Sequence, residues 1–88
     1  EEGYVILDVR TREEYDQGHI PGAVLIPNTE IAARAEEELT DKSQLILVYC
    51  RSGRRSKLAA EELVALGYTN IREFGGIIDW RGETVSGE

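Results

Sequence analysis

The chain has 88 residues, of which 41% are hydrophobic and 31% are charged, and its formal net charge is −7. This length suits one domain with one core, and the composition is that of a folded globular protein rather than a disordered one. The sequence has no apolar run near the roughly 20 residues of a membrane span, and its acidity argues against nucleic acid and anionic membrane as partners. We expect residues 1–88 to form one monomeric domain.

The chain contains one cysteine, one histidine and no methionine. A lone cysteine excludes an internal disulfide, so it says nothing about the redox compartment. One cysteine and one histidine cannot complete a four-ligand zinc site unless carboxylates or a second chain join them. We therefore expect no metal and no cofactor. The sequence has no signal peptide and no methionine, which suggests a trimmed chain, an excised domain or a processed form. We expect a cytoplasmic location, or a periplasmic one if the chain is a processed form.

The first predicted elements are a strand and a short helix. Residues 4–10 read as an apolar strand with a polar carboxyl end. Thr11 and Glu14 match a capping box, in which each side chain accepts a hydrogen bond from a backbone N–H of the other residue. This pattern predicts a helix over residues 12–17 that ends at Gly18.

A second strand and helix follow. Residues 23–26 are an apolar run closed by a proline. The next helix is predicted to be capped by Asn28 or Thr29 and to end near Leu39. Its buried stripe has the spacing of one helical face: Ile31, Ala35 and Leu39.

The central unit is a strand, a loop and a helix. Residues 45–49 form an unbroken apolar run, which is typical of a buried parallel strand. Residues 54–66 are strong helix formers and stop at Gly67. The face predicted to be buried contains Ala59, Leu63 and Leu66.

The last predicted strand covers residues 71–74, and Gly75 and Gly76 are expected to break it. Residues 77–81 are predicted to form a short final helix that packs Trp80 onto the sheet.

This alternation predicts an α/β fold with a mostly parallel sheet of about four strands and helices on both faces. Ligands of such sheets bind beyond the carboxyl ends of the strands, where the strand order reverses. Cys50 follows the third strand directly. If the first and third strands are neighbours, Asp8 and Arg10 flank the cysteine loop.

The loop after the third strand has the features of an anion site. Residues 50–57 carry four positive charges and no acidic residue: Arg51, Arg54, Arg55 and Lys57. The N-terminus of the following helix adds backbone N–H groups and a positive dipole end. A thiol in this position should ionise easily. We expect a small anionic substrate here rather than a polyanion.

Three segments of the sequence resemble the single-domain rhodaneses, a family of sulfurtransferases. The first is an ordered set of matches between Leu7 and Pro27, consisting of Leu7-Asp8-Val9-Arg10, Glu14-Tyr15, Gly18-His19-Ile20-Pro21-Gly22-Ala23 and Ile26-Pro27. The second is the loop Cys50-Arg51-Ser52-Gly53-Arg54-Arg55-Ser56, and the third is Gly75-Gly76 followed by Trp80. The chain lacks the strand and helix that precede the Leu7 segment in many members, and in this it resembles the shortest members, some of which are periplasmic.

The resemblance implies that Cys50 takes a sulfane sulfur from a donor such as thiosulfate and holds it as a persulfide. The sulfur then passes to cyanide or to a thiol, including a thiol on a protein. The backbone N–H groups of the loop would stabilise the thiolate and the persulfide. The residues expected to bind the substrate are those after the cysteine: Arg51, Ser52, Gly53, Arg54, Arg55 and Ser56. Among them, Gly53 would permit the bend, and the Ser56 hydroxyl would tie the loop to the helix start.

Two other functions stay open at this stage. Relatives with the rhodanese fold include cysteine-dependent phosphatases and arsenate reductases. In those relatives the cysteine and arginine are separated by five residues, whereas Cys50 and Arg55 are separated by four. A sulfur-relay or docking domain of a larger protein is the other alternative. His19 is expected to be structural rather than catalytic. An ion pair between Asp8 and Arg10 is at least as plausible as a direct role at the site.

Overall fold

The computed structural model describes residues 3–80, 82 and 84–86. Its four strands form one all-parallel sheet in the order β2-β1-β3-β4. The elements are β1 (Tyr4–Asp8), α1 (Arg12–Gln17), β2 (Val24–Leu25), α2 (Ile31–Glu38), β3 (Leu45–Cys50), α3 (Arg54–Ala65) and β4 (Ile71–Gly76). Among these residues, no helix has the length and apolarity needed to cross a membrane.

The strand order reverses between β1 and β3. From β1 the chain crosses to β2 at one edge, and then returns to the other side of β1 to form β3 and β4. In the β1–β3 register Asp8 lies opposite Tyr49, so the carboxyl ends of the two strands meet. The first and third strands are therefore neighbours, which is the condition under which Asp8 and Arg10 flank the cysteine loop. This arrangement places Cys50 at the reversal point of the sheet, where parallel sheets bind ligands.

One face of the sheet carries the larger core, against α2 and α3. The predicted stripe of α2 is buried throughout, and Ala59 and Leu63 of α3 are fully buried, while Leu66 is partly buried against the same cluster. Because side chains alternate along a strand, this face receives every second residue of β1 and β3. The strand residues of this core are Leu7, Ile46, Val48 and Cys50.

The opposite face has a smaller core and a thinner cover. Tyr49 of β3 packs there with Ile20 and Ala23, and Tyr15 of α1 and Ile77 cover the cluster. Helices thus lie on both faces, as predicted. Among the residues that the structure describes, the helices that cover this second face are short: α1 and the 3-10 helix Ile77–Asp79.

The capping box is confirmed at the start of α1. The Thr11 hydroxyl accepts the backbone N–H of Glu14, and the Glu14 carboxylate accepts the backbone N–H of Thr11. Gly18 ends the helix as expected, with its N–H donated to the carbonyl of Tyr15. This local exchange of hydrogen bonds explains why the sequence fixes the bounds of so short a helix.

Two predicted elements differ from the structure at their ends. Residues Asn28–Glu30 form a 3-10 helix, and α2 begins only at Ile31, without a side-chain cap. Gly75 and Gly76 do not break β4, which continues through both because Gly76 pairs with Cys50 across a register shift. The positive φ of Gly75, +100°, accommodates that irregularity.

The final predicted helix, over residues 77–81, is a 3-10 turn that ends at Asp79, and Arg81 lies outside the described residues. Trp80 is 38% exposed, and its ring lies 6.0 Å from that of Phe74, between centroids. The tryptophan therefore packs on the end of β4, as predicted, but at the surface.

A buried polar network holds the carboxyl ends of β1 and β3 together. The Arg10 guanidinium pairs with Asp8 at 2.7 Å and donates to the carbonyl of Gly18 at 2.7 Å. The Tyr49 hydroxyl donates to Asp8 at 2.7 Å and accepts the backbone N–H of Ile20 at 3.2 Å. Burial raises the pKa of Tyr49, so this hydroxyl stays a donor.

Replacing Tyr49 by phenylalanine should destabilise the domain by about 1–3 kcal/mol, because Asp8 and the Ile20 N–H would lose a buried partner without any change in ring volume. Chemical denaturation measures this loss. Tyr4→Phe is the matched control, since Tyr4 is exposed, and it should change the free energy of unfolding by less than about 0.5 kcal/mol. Equal stabilities for the two variants would contradict the assigned role of the network.

Candidate active site

Cys50 ends β3, and its side chain is 1% exposed. The loop turns at Gly53, whose φ of +108° lies in the left-handed region that favours glycine, and α3 begins at the next residue. This turn brings the Gly53 N–H to 3.0 Å from the Cys50 Sγ atom. The predicted bend at Gly53 and the predicted placing of Cys50 at a helix start are both present.

Several hydrogen-bond donors surround the Cys50 sulfur. Burial raises the pKa of the thiol, but hydrogen bonds from the Ser56 hydroxyl and from the N–H groups of Ser56, Gly53 and Ser52 lower it more, so the pKa of Cys50 falls below its ordinary value. The loop therefore favours the thiolate, which is the reactive form of cysteine.

Gly76 supports the loop from the neighbouring strand. A Cβ atom at this position would lie 2.0 Å from the carbonyl oxygen of Arg51, which is closer than any real contact. The same carbonyl accepts the N–H of Ile78 at 3.2 Å. The second glycine of the Gly75-Gly76 pair is thus needed for the close approach of β4 to the cysteine loop.

The three loop arginines differ in their surroundings. Arg51 and Arg54 are exposed to solvent in the segment that follows the cysteine. Arg55 is partly buried and forms two hydrogen bonds with Glu14, at 2.8 and 3.0 Å. Its guanidinium is therefore committed to a bidentate ion pair that joins α3 to α1.

An open groove of about 880 Å³ lies next to the loop. Leu58 and Phe74, which are 53% and 40% exposed, give it an apolar lining. Its charged lining residues are two basic and two acidic ones: Arg54, Lys57, Glu61 and Glu73. Ser52 and Gly53 also line it, so the groove reaches the loop that contains Cys50. The groove therefore offers an apolar group a place next to the loop, with both basic and acidic side chains at its edges.

Ser56 and Glu73 meet beneath the loop. The Ser56 side chain is fully buried, and its hydroxyl oxygen lies 3.0 Å from the carbonyl oxygen of Gly53, so Ser56 contacts the loop at the start of α3, as predicted. It also lies 2.5 Å from Glu73 Oε2, an atom that accepts the N–H of Gly75 at 2.8 Å. Glu73 was missed by the sequence reasoning. The sequence could have indicated it, because Glu73 lies two residues after Ile71 on the same strand and so shares the face that packs against α3.

The remaining candidate residues, His19, Asp8 and Arg10, make structural contacts. His19 is buried, its ring stacks on Tyr15 with 3.7 Å between centroids, and its Nδ1 lies 2.8 Å from the Tyr15 carbonyl oxygen. Asp8 and Arg10 form the ion pair already described. Within the described ranges, no group of three or more His, Cys, Asp or Glu side chains is placed to hold a metal ion.

The profile of the Rhodanese-like domain family matches residues 1–83. The thiosulfate sulfurtransferase PspE of Escherichia coli is 40% identical over 92% of this chain and 78% of its own length. A longer relative, the adenylyltransferase and sulfurtransferase UBA4 of Candida albicans, is 36% identical over 94% of this chain, which spans 20% of that protein. A solved structure of a rhodanese with anions from E. coli superimposes with a TM-score of 0.89 at 38% identity, covering 96% of this chain and 99% of that one.

Replacing Glu14 by glutamine should lower stability in a pH-dependent way. The hydrogen bond from Arg55 is the main cause that brings the pKa of Glu14 from 4.5 to about 2. A carboxylate with a depressed pKa stabilises the folded state above its ordinary pKa, and this contribution disappears as the pH falls towards about 2. We expect E14Q to cost about 1 kcal/mol at neutral pH, a value reduced by the partial exposure of the pair.

Glutamine can still cap the helix, so the substitution tests the charge alone. The control is E13Q, in the same exposed first turn, which should stay within about 0.5 kcal/mol of the parent at all pH values. The measurement is urea unfolding between about pH 2 and pH 7. A difference between E14Q and the parent that does not shrink in acid would contradict the ion pair.

Proposed function

The chain belongs to the rhodanese-like domain family, and on this premise we propose that it moves a sulfane sulfur atom from thiosulfate to a thiol or cyanide through a persulfide on Cys50. The observation that carries the proposal is the position of the Cys50 sulfur. It lies at the reversal point of the sheet, 3.0 Å from the N–H of Gly53, with a lowered pKa. Sulfur transfer through a persulfide needs a thiolate at such a point and no separate general base.

The reaction has two displacements. In the first, the Cys50 thiolate attacks the outer sulfur of thiosulfate, the sulfur–sulfur bond of the donor breaks, and sulfite leaves with the bonding electron pair. In the second, the acceptor attacks the outer sulfur of the persulfide, and Cys50 leaves as a thiolate. The donors of the loop, including the Gly53 N–H and the Ser56 hydroxyl, stabilise the negative charge before and after each step.

The proposal gives the arginines two tasks. Arg51 and Arg54 are exposed beside the loop and attract the anionic donor. Arg55 supplies a fixed positive charge near Cys50, because its ion pair with Glu14 holds the guanidinium in place. An arginine so engaged is a poor ligand for the oxygens of a phosphate, which favours sulfur transfer over the phosphatase alternative.

The relay alternative uses the same persulfide. This chain spans only a fifth of the adenylyltransferase and sulfurtransferase of Candida albicans, so a domain of this kind also occurs within a longer protein. A protein thiol is then the acceptor in place of a small molecule. The cytoplasmic location, the alternative periplasmic one and the monomeric state stay predictions from the sequence.

Cys50→Ser should abolish the formation of thiocyanate from thiosulfate and cyanide. Serine has nearly the same volume, but its hydroxyl does not ionise near neutral pH, so the attacking anion is lost. The assay is colorimetric, and thermal unfolding checks that the variant folds. A folded C50S variant that retains the parent rate would overturn the persulfide mechanism.

R51A and R54A should each lower kcat/KM for thiosulfate by about three- to tenfold, chiefly through KM, because each removes a cation that attracts the donor. The loss should shrink at high ionic strength, where surface charges are screened. R72A is the matched control, since Arg72 is exposed on β4 and lies outside the cysteine loop. Parent values of kcat/KM for both loop variants would remove the arginines from donor binding.

A further inference from the structure

The Ser56 hydroxyl has more acceptors around it than it has hydrogens. Its oxygen lies 2.5 Å from Glu73 Oε2, 3.0 Å from the Gly53 carbonyl oxygen, 3.4 Å from the Gly75 carbonyl oxygen and 3.6 Å from Cys50 Sγ. A serine hydroxyl donates only one hydrogen. The nearest acceptor is also the only carboxylate of the set, and charged acceptors form the stronger hydrogen bonds.

We propose that Glu73 is a positioning residue that competes with Cys50 for the hydroxyl hydrogen of Ser56 and thereby limits how readily the thiol ionises. In the thiol form, the sulfur donates its own hydrogen to the Ser56 oxygen, and the Ser56 hydrogen points to Glu73. In the thiolate form, the sulfur and the carboxylate compete for that single hydrogen. This inference rests on the proposed role of Cys50 as the nucleophile.

The position of Glu73 is fixed from the other side. Its Oε2 accepts the N–H of Gly75 at 2.8 Å, so the end of β4 holds the carboxylate against Ser56. The register shift between β3 and β4 lies at the same place, next to the pairing of Cys50 with Gly76. The edge strand β4 therefore contributes the Glu73 carboxylate to the site, in addition to the glycines that let it pack closely against the loop.

The contact between Glu73 and Ser56 would serve sulfur transfer, because it opposes the lowering of the Cys50 pKa by the hydrogen-bond donors of the loop. A cysteine thiolate loses intrinsic nucleophilicity as its pKa falls, and the best attacking thiol has a pKa near the ambient pH. Hydrogen bonds from the Ser56 hydroxyl and the loop N–H groups lower the pKa of Cys50. Glu73 competes for the Ser56 hydrogen, limits this lowering, and so preserves the reactivity of the anion that forms.

Other charged groups near Cys50 remain constant in the experiment. Arg55 of α3 interacts electrostatically with Cys50 and is paired with Glu14 of α1. At the end of β1, Asp8 is neutralised by Arg10. Because no variant described below touches these pairs, changes in the ionisation of Cys50 report on Glu73 and Ser56.

The test is the pH dependence of Cys50 alkylation by iodoacetamide, followed by intact mass. Cys50 is the only cysteine, so all alkylation of thiols reports on it. Replacing Glu73 by glutamine keeps an oxygen for the Gly75 N–H but removes the charge that holds the hydroxyl. We expect E73Q to lower the midpoint of the alkylation profile by about 0.5–1 pH unit and S56A to raise it.

The double variant S56A/E73Q separates positioning from simple charge repulsion. If Glu73 acts through the hydroxyl, E73Q should lower the midpoint by less than half as much in the S56A background as in the parent. E61Q is the matched control, because Glu61 lines the same groove and is exposed, and it should shift the midpoint by less than about 0.2 pH unit. Thermal unfolding of each variant confirms that it is folded.

Three results would overturn the proposal: an E73Q midpoint that rises, one that does not move, or one that falls equally with and without the Ser56 hydroxyl. None of these depends on sulfur transfer, since alkylation by iodoacetamide requires the thiolate but no sulfur donor or acceptor. Failure of the proposed function would instead appear as a normal alkylation profile without persulfide formation. The two failures are therefore distinguishable.

Discussion

The hydrogen bond from the Gly53 N–H to the Cys50 sulfur is the interaction on which the site depends. Its length of 3.0 Å requires a left-handed residue immediately before α3, which is why a glycine with a φ of +108° occupies that position. It also requires the loop to lie close to β4, which the absence of a side chain at Gly76 permits. A buried thiol without these donors would have a raised pKa and would be inert.

The same constraint explains how the smaller elements are used. The α1 helix has only six residues, and its capping-box glutamate also holds Arg55 on α3. One side chain therefore fixes the start of α1 and the distance between α1 and the helix that supports the loop. Across the sheet, the bond between Tyr49 and Asp8 keeps the ends of β1 and β3 together beneath Cys50. Polar contacts thus hold the site on the face of the sheet that carries the smaller core.

Much of the fold and of the site could be predicted because the signals are local. The capping box of Thr11 and Glu14, the buried stripe of α2 and the apolar run of β3 each lie within a few residues, and the structure confirms them. The position of Cys50 followed from the order of the elements. The predicted start of α2 was wrong, because the segment begins with a 3-10 turn rather than with a side-chain cap.

What the sequence did not predict depends on contacts between distant residues. The ion pair of Arg55 with Glu14 joins positions 41 apart, and the contact of Ser56 with Glu73 joins positions 17 apart. Whether a loop arginine is available to a substrate, or an edge-strand carboxylate reaches a helix start, is settled only when the sheet assembles. The continuation of β4 through two glycines likewise depends on its pairing with Cys50.

The most direct test of persulfide chemistry at Cys50 is the intact mass of the protein after treatment with thiosulfate, without reductant. Cys50 as the sulfur acceptor predicts a species heavier by one sulfur atom, which disappears when cyanide is added as thiocyanate forms in equal amount. An unchanged mass, or an added sulfur atom that also forms on a C50S variant, would contradict it.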